Sequence, residues 1–155
     1  MPKIDIASVK LEVATGYPEP YRSAVAGRSR QRLGNAVGLD QFGVNLTRLK
    51  PGAQSAQRHW HAAEDEFVFV LDGELVLCEN DGETILTAGE AAGFKAGAAN
   101  GHCLVNRSMR DAVYLEIGTR AAREEVEYPD IDLLCRKDER GLSYLHKSGE
   151  PYPPR

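Results

Sequence analysis

EFVFVLDGELVLCENDGETIL, residues 66–86, is the stretch on which the fold reading turns. Its first two runs alternate β-branched, aromatic and polar residues at a period of two, the signature of half-buried strands. Asp72-Gly73 divides them, and this dipeptide favours the tight turn of a hairpin. Asp81-Gly82 closes the second run and opens a third. Within the first run Glu66, Val68 and Val70 share one face, and Phe67, Phe69 and Leu71 share the other. The phenylalanine face calls for cover from a neighbouring sheet or a second subunit.

Working outward, FGVNLTRLKPG at residues 42–52 is a strand ending in a Pro-Gly turn signal. The Gly/Ala-rich segment at 86–108 has turn character, with NGHCLVN alternating at its end. AVYLEIG at 112–118 is another strand, with Val113, Leu115 and Ile117 on one side and Tyr114 and Glu116 on the other. Short strands at this spacing predict an all-β chain, an antiparallel sandwich or jelly-roll barrel. No helix of ordinary length is expected before residue 120, and AAREEVEY at 121–128 is expected to make a turn or two. Residues 14–36 read as a long loop with room for one strand. In the tail, LSYLHK suits a strand, whereas EPYPPR should be irregular because proline removes ladder donors. Such a tail wraps its own barrel or crosses to a partner. The expected organisation is one domain over residues 1–155, with a core near 40–118, an arm at 1–36 and a tail at 120–155.

A chain of 155 residues is long enough to bury a core without staples. No apolar run approaches a membrane span, and no signal-peptide core follows Met1, so neither a membrane nor a leader is expected. Cys78, Cys103 and Cys135 are odd in number and widely spaced, which argues against a disulfide framework and for a reducing cytoplasm. The net charge of −4 hides an asymmetry: residues 1–60 hold nine Lys/Arg against four Asp/Glu, and 61–155 hold ten against nineteen. That balance predicts no nucleic-acid partner. The densest basic cluster is Arg28, Arg30 and Arg32, which would share one face of an extended segment; a solvated edge and an anion-binding patch both account for it.

RHWHAAEDEF, residues 58–67, carries the chemistry. Strand period places His59 and His61 on one face with Trp60 turned away. Glu66 heads an otherwise apolar face, a costly place for an acid that is not hydrogen-bonded, paired or metal-bound. His102 lies on the polar side of a strand with Leu104 and Asn106. Three imidazoles and a carboxylate suit a divalent transition metal and can leave coordination positions open. A His-x-His pair also occurs as plain surface or core, Glu64 and Asp65 compete with Glu66, and spacing alone does not bring His102 to the first pair.

Gly52, His59, His61, Glu66 and Gly73 follow the order of the first cupin motif, with a first spacer one residue longer than the commonest form. Gly89, Gly97, His102 and Asn106 follow the second, although Lys95 stands where proline is usual and the gap before His102 is two residues longer. On these residues the chain resembles a small single-domain cupin, a metal-binding double-stranded β-helix. The resemblance implies that His59, His61, Glu66 and His102 bind one divalent ion, Zn, Mn, Fe or Ni. It implies neither a substrate nor a reaction, since one fold hosts many chemistries. The leading expectation is a metalloenzyme acting on a small oxygenated substrate, such as a sugar or sugar-phosphate isomerase or epimerase, with Glu116 and Tyr114 as pocket residues near a site of proton abstraction. Arg48 and Lys95 are candidates to bind a substrate carboxylate or phosphate. The alternatives are an Fe(II) dioxygenase and a non-catalytic small-molecule-binding module. A homodimer is expected from the family and from the uncovered face of residues 66–71. His146 is a further, weaker candidate to cap the pocket.

Overall fold

The computed structural model describes residues 3–153, so the first and last two residues, including the end of EPYPPR, lie outside the described residues. Its strands in chain order are β1 (Leu11–Glu12), β2 (Arg28–Arg32), β3 (Phe42–Leu49), β4 (Trp60–His61), β5 (Glu66–Asp72), β6 (Glu74–Glu79) and β7 (Gly82–Thr87). They continue with β8 (Ala91–Phe94), β9 (Cys103–Val105), β10 (Ala112–Thr119), β11 (Glu124–Tyr128), β12 (Leu133–Asp138) and β13 (Gly141–Leu145). A single helical turn, α1 (Leu33–Ala36), and short 3-10 turns at Ile6–Ser8 and Tyr21–Val25 complete the set. No described helix is long and apolar enough to cross a membrane.

Among the described residues three sheets form, in the orders β1-β2-β3-β10-β5-β8, β7-β6-β9 and β13-β12-β11-β4. Every strand-to-strand pairing is antiparallel, and the fold is cupin-like. The first two sheets enclose one core, with Leu49, Val68, Val70 and Tyr114 from one and Leu75, Leu77, Leu86 and Leu104 from the other. A second core under the C-terminal sheet collects Tyr17, Val25, Val126, Tyr128, Leu133 and Cys135. The tail therefore folds onto its own chain.

Two local expectations are corrected. The runs divided by Asp72-Gly73 do not pair with each other: β5 lies between β10 and β8, and β6 between β7 and β9. Gly73 has φ +83°, and a Cβ there would sit 2.9 Å from Ala112 Cα and from the Asp111 carbonyl oxygen. The glycine bends the chain from one sheet into the next where there is no room for a side chain. The true two-residue hairpin follows, where Glu79 pairs with Gly82. Residues 121–128 are not a helical turn either. Glu124, Val126 and Tyr128 are buried on alternate positions of β11, and burial against β12 and β4 overrides local helix propensity.

Across the large sheet the register places Glu66 opposite Gly118, Val68 opposite Glu116 and Val70 opposite Tyr114. It then sets Glu116 opposite Asn45 and Tyr114 opposite Thr47, with Arg32 and Arg30 beyond them on β2. One face of the sheet thus carries the apolar core at one end and a charged row at the other.

Candidate metal centre

β4 is a two-residue strand, yet it is tied on both edges. Trp60 and His61 pair with Glu127 and Val126, while the His59 and His102 main chains exchange hydrogen bonds of 3.1 and 2.8 Å. The bridge brings together two histidines separated by 43 residues of sequence. From His61 the chain reaches Glu66 through a loop whose own acids are occupied elsewhere. Glu64 accepts the Ala121 N–H at 2.9 Å and the Lys137 ammonium at 3.0 Å. Asp65 accepts from Lys95 at 2.9 Å and from the Ala96 N–H at 2.8 Å. Glu66 is the acid of the three that turns inward.

There, one carboxylate oxygen of Glu66 faces three imidazoles: His102 Nε2 at 2.8 Å, His61 Nε2 at 3.3 Å and His59 Nε2 at 3.6 Å. The donor atoms of His59, His61 and Glu66 lie within 4.8 Å of one another, and His102 joins through its contact with Glu66. Burial raises the Glu66 carboxyl, but the His102, His59 and His61 hydrogen bonds together outweigh it and hold the group well below the usual carboxylate range. Burial also lowers His61, and Glu66 more than reverses this; in His102 burial prevails and the ring is held below its ordinary value. The Phe94 ring stacks on His102 with centroids 3.5 Å apart and planes 1° from parallel, fixing the imidazole plane.

The donor set fits a divalent ion. His59 Nδ1 donates to the Gln57 carbonyl at 2.8 Å, which leaves Nε2 with a lone pair pointing into the cluster. His61 Nδ1 is buried without a hydrogen-bond partner and lies 3.7 Å from Glu124 Oε2, poised to pair the other side of that ring with a carboxylate. The three Nε2 atoms around one carboxylate oxygen are positioned to coordinate a single cation, and His102 Nδ1, like that of His61, is buried without a partner. Glu124 is the residue that sequence reasoning missed. Its side chain is 3% exposed, and Oε1 accepts the N–H groups of Ala62, Ala63 and Glu125 at 3.0, 3.0 and 2.7 Å. The period-two burial of 124, 126 and 128 was the available signal, hidden in a run of glutamates. His61, Glu64 and Glu124 form a second group of nearby donors, in which Glu64 is held by Lys137 and Glu124 by the main chain.

The cluster opens into a cavity of about 370 Å³, within the usual range for ligand sites. Glu116 and Tyr114 line it. Glu116 accepts hydrogen bonds from Arg30 and Asn45, each at 3.1 Å, and Tyr114 Oη lies 3.5 Å from it. Tyr144 and Leu142 of β13 and Glu12 and residues 14–17 of the N-terminal arm contribute to its wall. Arg48 and Lys95 do not line it, although Lys95 borders a smaller cavity of about 240 Å³ that His61 and His102 also touch. Strand alternation puts Arg48 on the outer face of β3, paired with Asp111 at 3.2 Å, and Lys95 is exposed beside Asp65. His146 also lies outside the cavity, bonded to Asp132 at 2.7 Å and stacked on Tyr152. Asn106 is fully buried and ties loops together, donating to the Leu49 and Arg110 carbonyls at 2.8 Å.

Comparison with known proteins agrees with this geometry. The cupin domain family model matches residues 45–118. A crystal structure of a sugar phosphate isomerase of the cupin superfamily from Silicibacter pomeroyi is 44% identical, with 98% of this chain and 97% of that one covered and a TM-score of 0.94. A protein provisionally described as a sugar phosphate isomerase, from Acidithiobacillus ferrooxidans, is 27% identical over 83% of this chain and 81% of its own, at a TM-score of 0.73. A polyketide cyclase from Streptomyces resistomycificus, 20% identical over 77% of this chain and 79% of its own at a TM-score of 0.64, shares the fold. No curated protein matches the sequence.

Proposed function

The chain belongs to the cupin superfamily, and from that premise we propose that it is a metal-dependent isomerase of a sugar phosphate. The observation that carries the reading is the shared cavity: the His/Glu cluster and Glu116 line one space, in a chain 44% identical to a protein with that activity in its name. His59, His61, Glu66 and His102 are the proposed ligands. An ion bound there supplies a Lewis acid that polarises carbonyl and hydroxyl oxygens of the substrate. Glu116, oriented by Arg30 and Asn45, is the proposed base. It takes the proton from the hydroxyl-bearing carbon beside the carbonyl and delivers it to the carbonyl carbon, while the proton of that hydroxyl passes to the carbonyl oxygen, so neither a redox cofactor nor a net proton is required. Tyr114, beneath Glu116 and fully buried, fixes the carboxylate from the core side.

In this reading the sheets close into a jelly-roll barrel, and the whole chain forms one domain with an N-terminal arm and a C-terminal tail. A second copy covers the exposed Phe67 and Leu71 of β5; light scattering at micromolar concentration tests that dimer, and a monomer mass refutes it. The activity is tested by incubating metal-loaded protein with aldose and ketose phosphates in D2O and following solvent deuterium into the carbon next to the carbonyl. Glu116→Gln should lower that exchange by about 10²–10⁴-fold while metal content is kept. Wild-type exchange in the variant refutes the role of Glu116, and oxygen uptake by iron-loaded protein without isomerisation refutes the activity.

A further inference from the structure

The charged residues around the cavity can be matched one by one. Arg28, Arg30 and Arg32 line it together with Glu12, Glu66 and Glu116. Arg32 pairs with Glu12 at 2.9 Å near the rim, and Arg30 pairs with Glu116 at 3.1 Å deeper in. Glu66 belongs to the histidine cluster. Arg28 remains. Its hydrogen bond is to a main-chain carbonyl, Ser55 O at 2.5 Å, which occupies one of five donors and neutralises nothing. Among the described residues it has no carboxylate partner. Arg30, two positions along the same strand face and so roughly 7 Å away, has its Nε buried with no acceptor. Two guanidiniums side by side in a poorly solvated wall are unfavourable unless an anion lies between them. Burial, reinforced by Arg30, pushes the Arg28 guanidinium down, and the carboxylate of Glu116, already paired with Arg30, offsets this only in part.

We infer that Arg28 and Arg30 form an oxyanion subsite in the wall of the metal cavity and that it takes the phosphoryl group of the substrate. The inference rests on the proposed function for the nature of the anion. Charge balance favours phosphate over carboxylate. With a divalent ion in the cluster, the three arginines and three glutamates leave a net charge of two positive, which a phosphate monoester of about −1.5 to −2 near neutral pH offsets and a single carboxylate does not. Arginine forks also match the geometry of phosphoryl oxygens. Arg30 then links the two ends of the substrate, holding the phosphoryl group with one edge and the carboxylate of Glu116 with another.

The test is the binding of inorganic phosphate and of an alditol phosphate, which has no carbonyl and does not turn over, to metal-loaded protein by calorimetry. Arg28→Gln should weaken the alditol phosphate by about 10- to 100-fold, leave metal content unchanged, and barely alter the weak binding of the unphosphorylated alditol. Arg28→Lys, which keeps the charge and a donor for Ser55 but lacks the fork, should fall between the two. Arg48→Gln, on the outer face, should bind as wild type. Unchanged phosphate affinity in both Arg28→Gln and Arg30→Gln overturns the subsite, as does tighter Arg28-dependent binding of a sugar carboxylate. The two readings fail separately. Arg28-dependent phosphate binding without isomerisation removes the activity and keeps the subsite, whereas isomerisation with a wild-type KM in Arg28→Gln does the reverse.

Discussion

Exchanging Glu124 for Gln alters one atom of a side chain outside the proposed ligand set and should still weaken metal binding. A carboxylate facing His61 Nδ1 can only accept, so the proton of His61 stays on Nδ1 and Nε2 offers a lone pair to the cluster. In the Glu124→Gln variant the amide oxygen can stay on the Ala62, Ala63 and Glu125 N–H groups. Its NH2 then stands where Oε2 of Glu124 accepted a second, longer bond from the Ala63 N–H at 3.2 Å, which is lost, and faced His61, 3.7 Å away. An NH2 donates, Nδ1 has to accept, and the imidazole proton moves to Nε2, where it blocks coordination. Partners of this kind are worth about 10–100-fold in metal affinity, or about 1.4–2.7 kcal/mol. Stability should fall less sharply than in Glu124→Ala. The amide oxygen still serves the three backbone donors, at a loss of about 1 kcal/mol for each charge-assisted bond made neutral. The Ala variant leaves all three unsatisfied at about 1–3 kcal/mol each, a large share of a total stability of about 5–15 kcal/mol. Zinc affinity is read by competition with a chromogenic chelator, with thermal melts in excess chelator to separate folding from binding. A Glu124→Gln protein that melts cooperatively and binds zinc within about threefold of wild type, well short of the expected loss, refutes the argument.

Other outcomes follow from the same geometry. His61→Ala should lower metal content without unfolding the sheets; wild-type occupancy by elemental analysis would remove His61 from the ligand set. Gly73→Ala and Gly52→Ala both place alanine at positive φ, +83° and +80°, but a Cβ at 52 meets nothing within 4 Å while one at 73 presses on Ala112 and Asp111. Both should lose about 1–2 kcal/mol from the left-handed backbone, and Gly73→Ala about 1–3 kcal/mol more from overpacking; equal urea midpoints would contradict the crowding at Gly73. All three cysteines are free thiols. Burial raises Cys103 and Cys135 to about 12, so little thiolate exists near neutral pH and half-exposed Cys78 should alkylate first. Mass spectrometry showing Cys135 modified before Cys78 would refute that burial.

The strands legible in the sequence are those whose pattern is local. FGVNLTRL, EFVFVL and AVYLEIG alternate over enough residues for period two to stand out, and the inward face read from Glu66, Val68 and Val70 is the face the register presents. What local pattern could not supply was which strand pairs with which. Asp72-Gly73 has the composition of a hairpin, but the demand on Gly73 comes from Ala112 and Asp111, nearly forty residues on. In AAREEVEY the charges mask an alternation that becomes a strand once β12 and β4 flank it. The same limit applies within the site. Two histidines one residue apart attract notice, but the bridge from His59 to His102 and the support of His61 by Glu124 are long-range contacts between residues that are unremarkable on their own.

The arginine cluster shows how pairing decides whether a charge is ordinary or informative. Three arginines on alternate residues look alike in the sequence, and a solvated edge accounts for them as readily as a ligand does. Folding assigns each a different fate: Glu12 is close enough in space to neutralise Arg32, Glu116 arrives from β10 to neutralise Arg30, and no acid among the described residues pairs with Arg28. A half-buried cation with no carboxylate in ion-pair contact is a cost that the fold bears until something bound supplies the charge. An ion held by the histidine cluster would place a second positive centre in the same cavity. A substrate with an anionic end and an oxygen-rich reacting end satisfies both at once, and one lacking the anionic end should lose affinity rather than coordination. Comparing KM and kcat for phosphorylated and unphosphorylated sugars separates those effects, because the subsite requires the difference to fall mainly on KM.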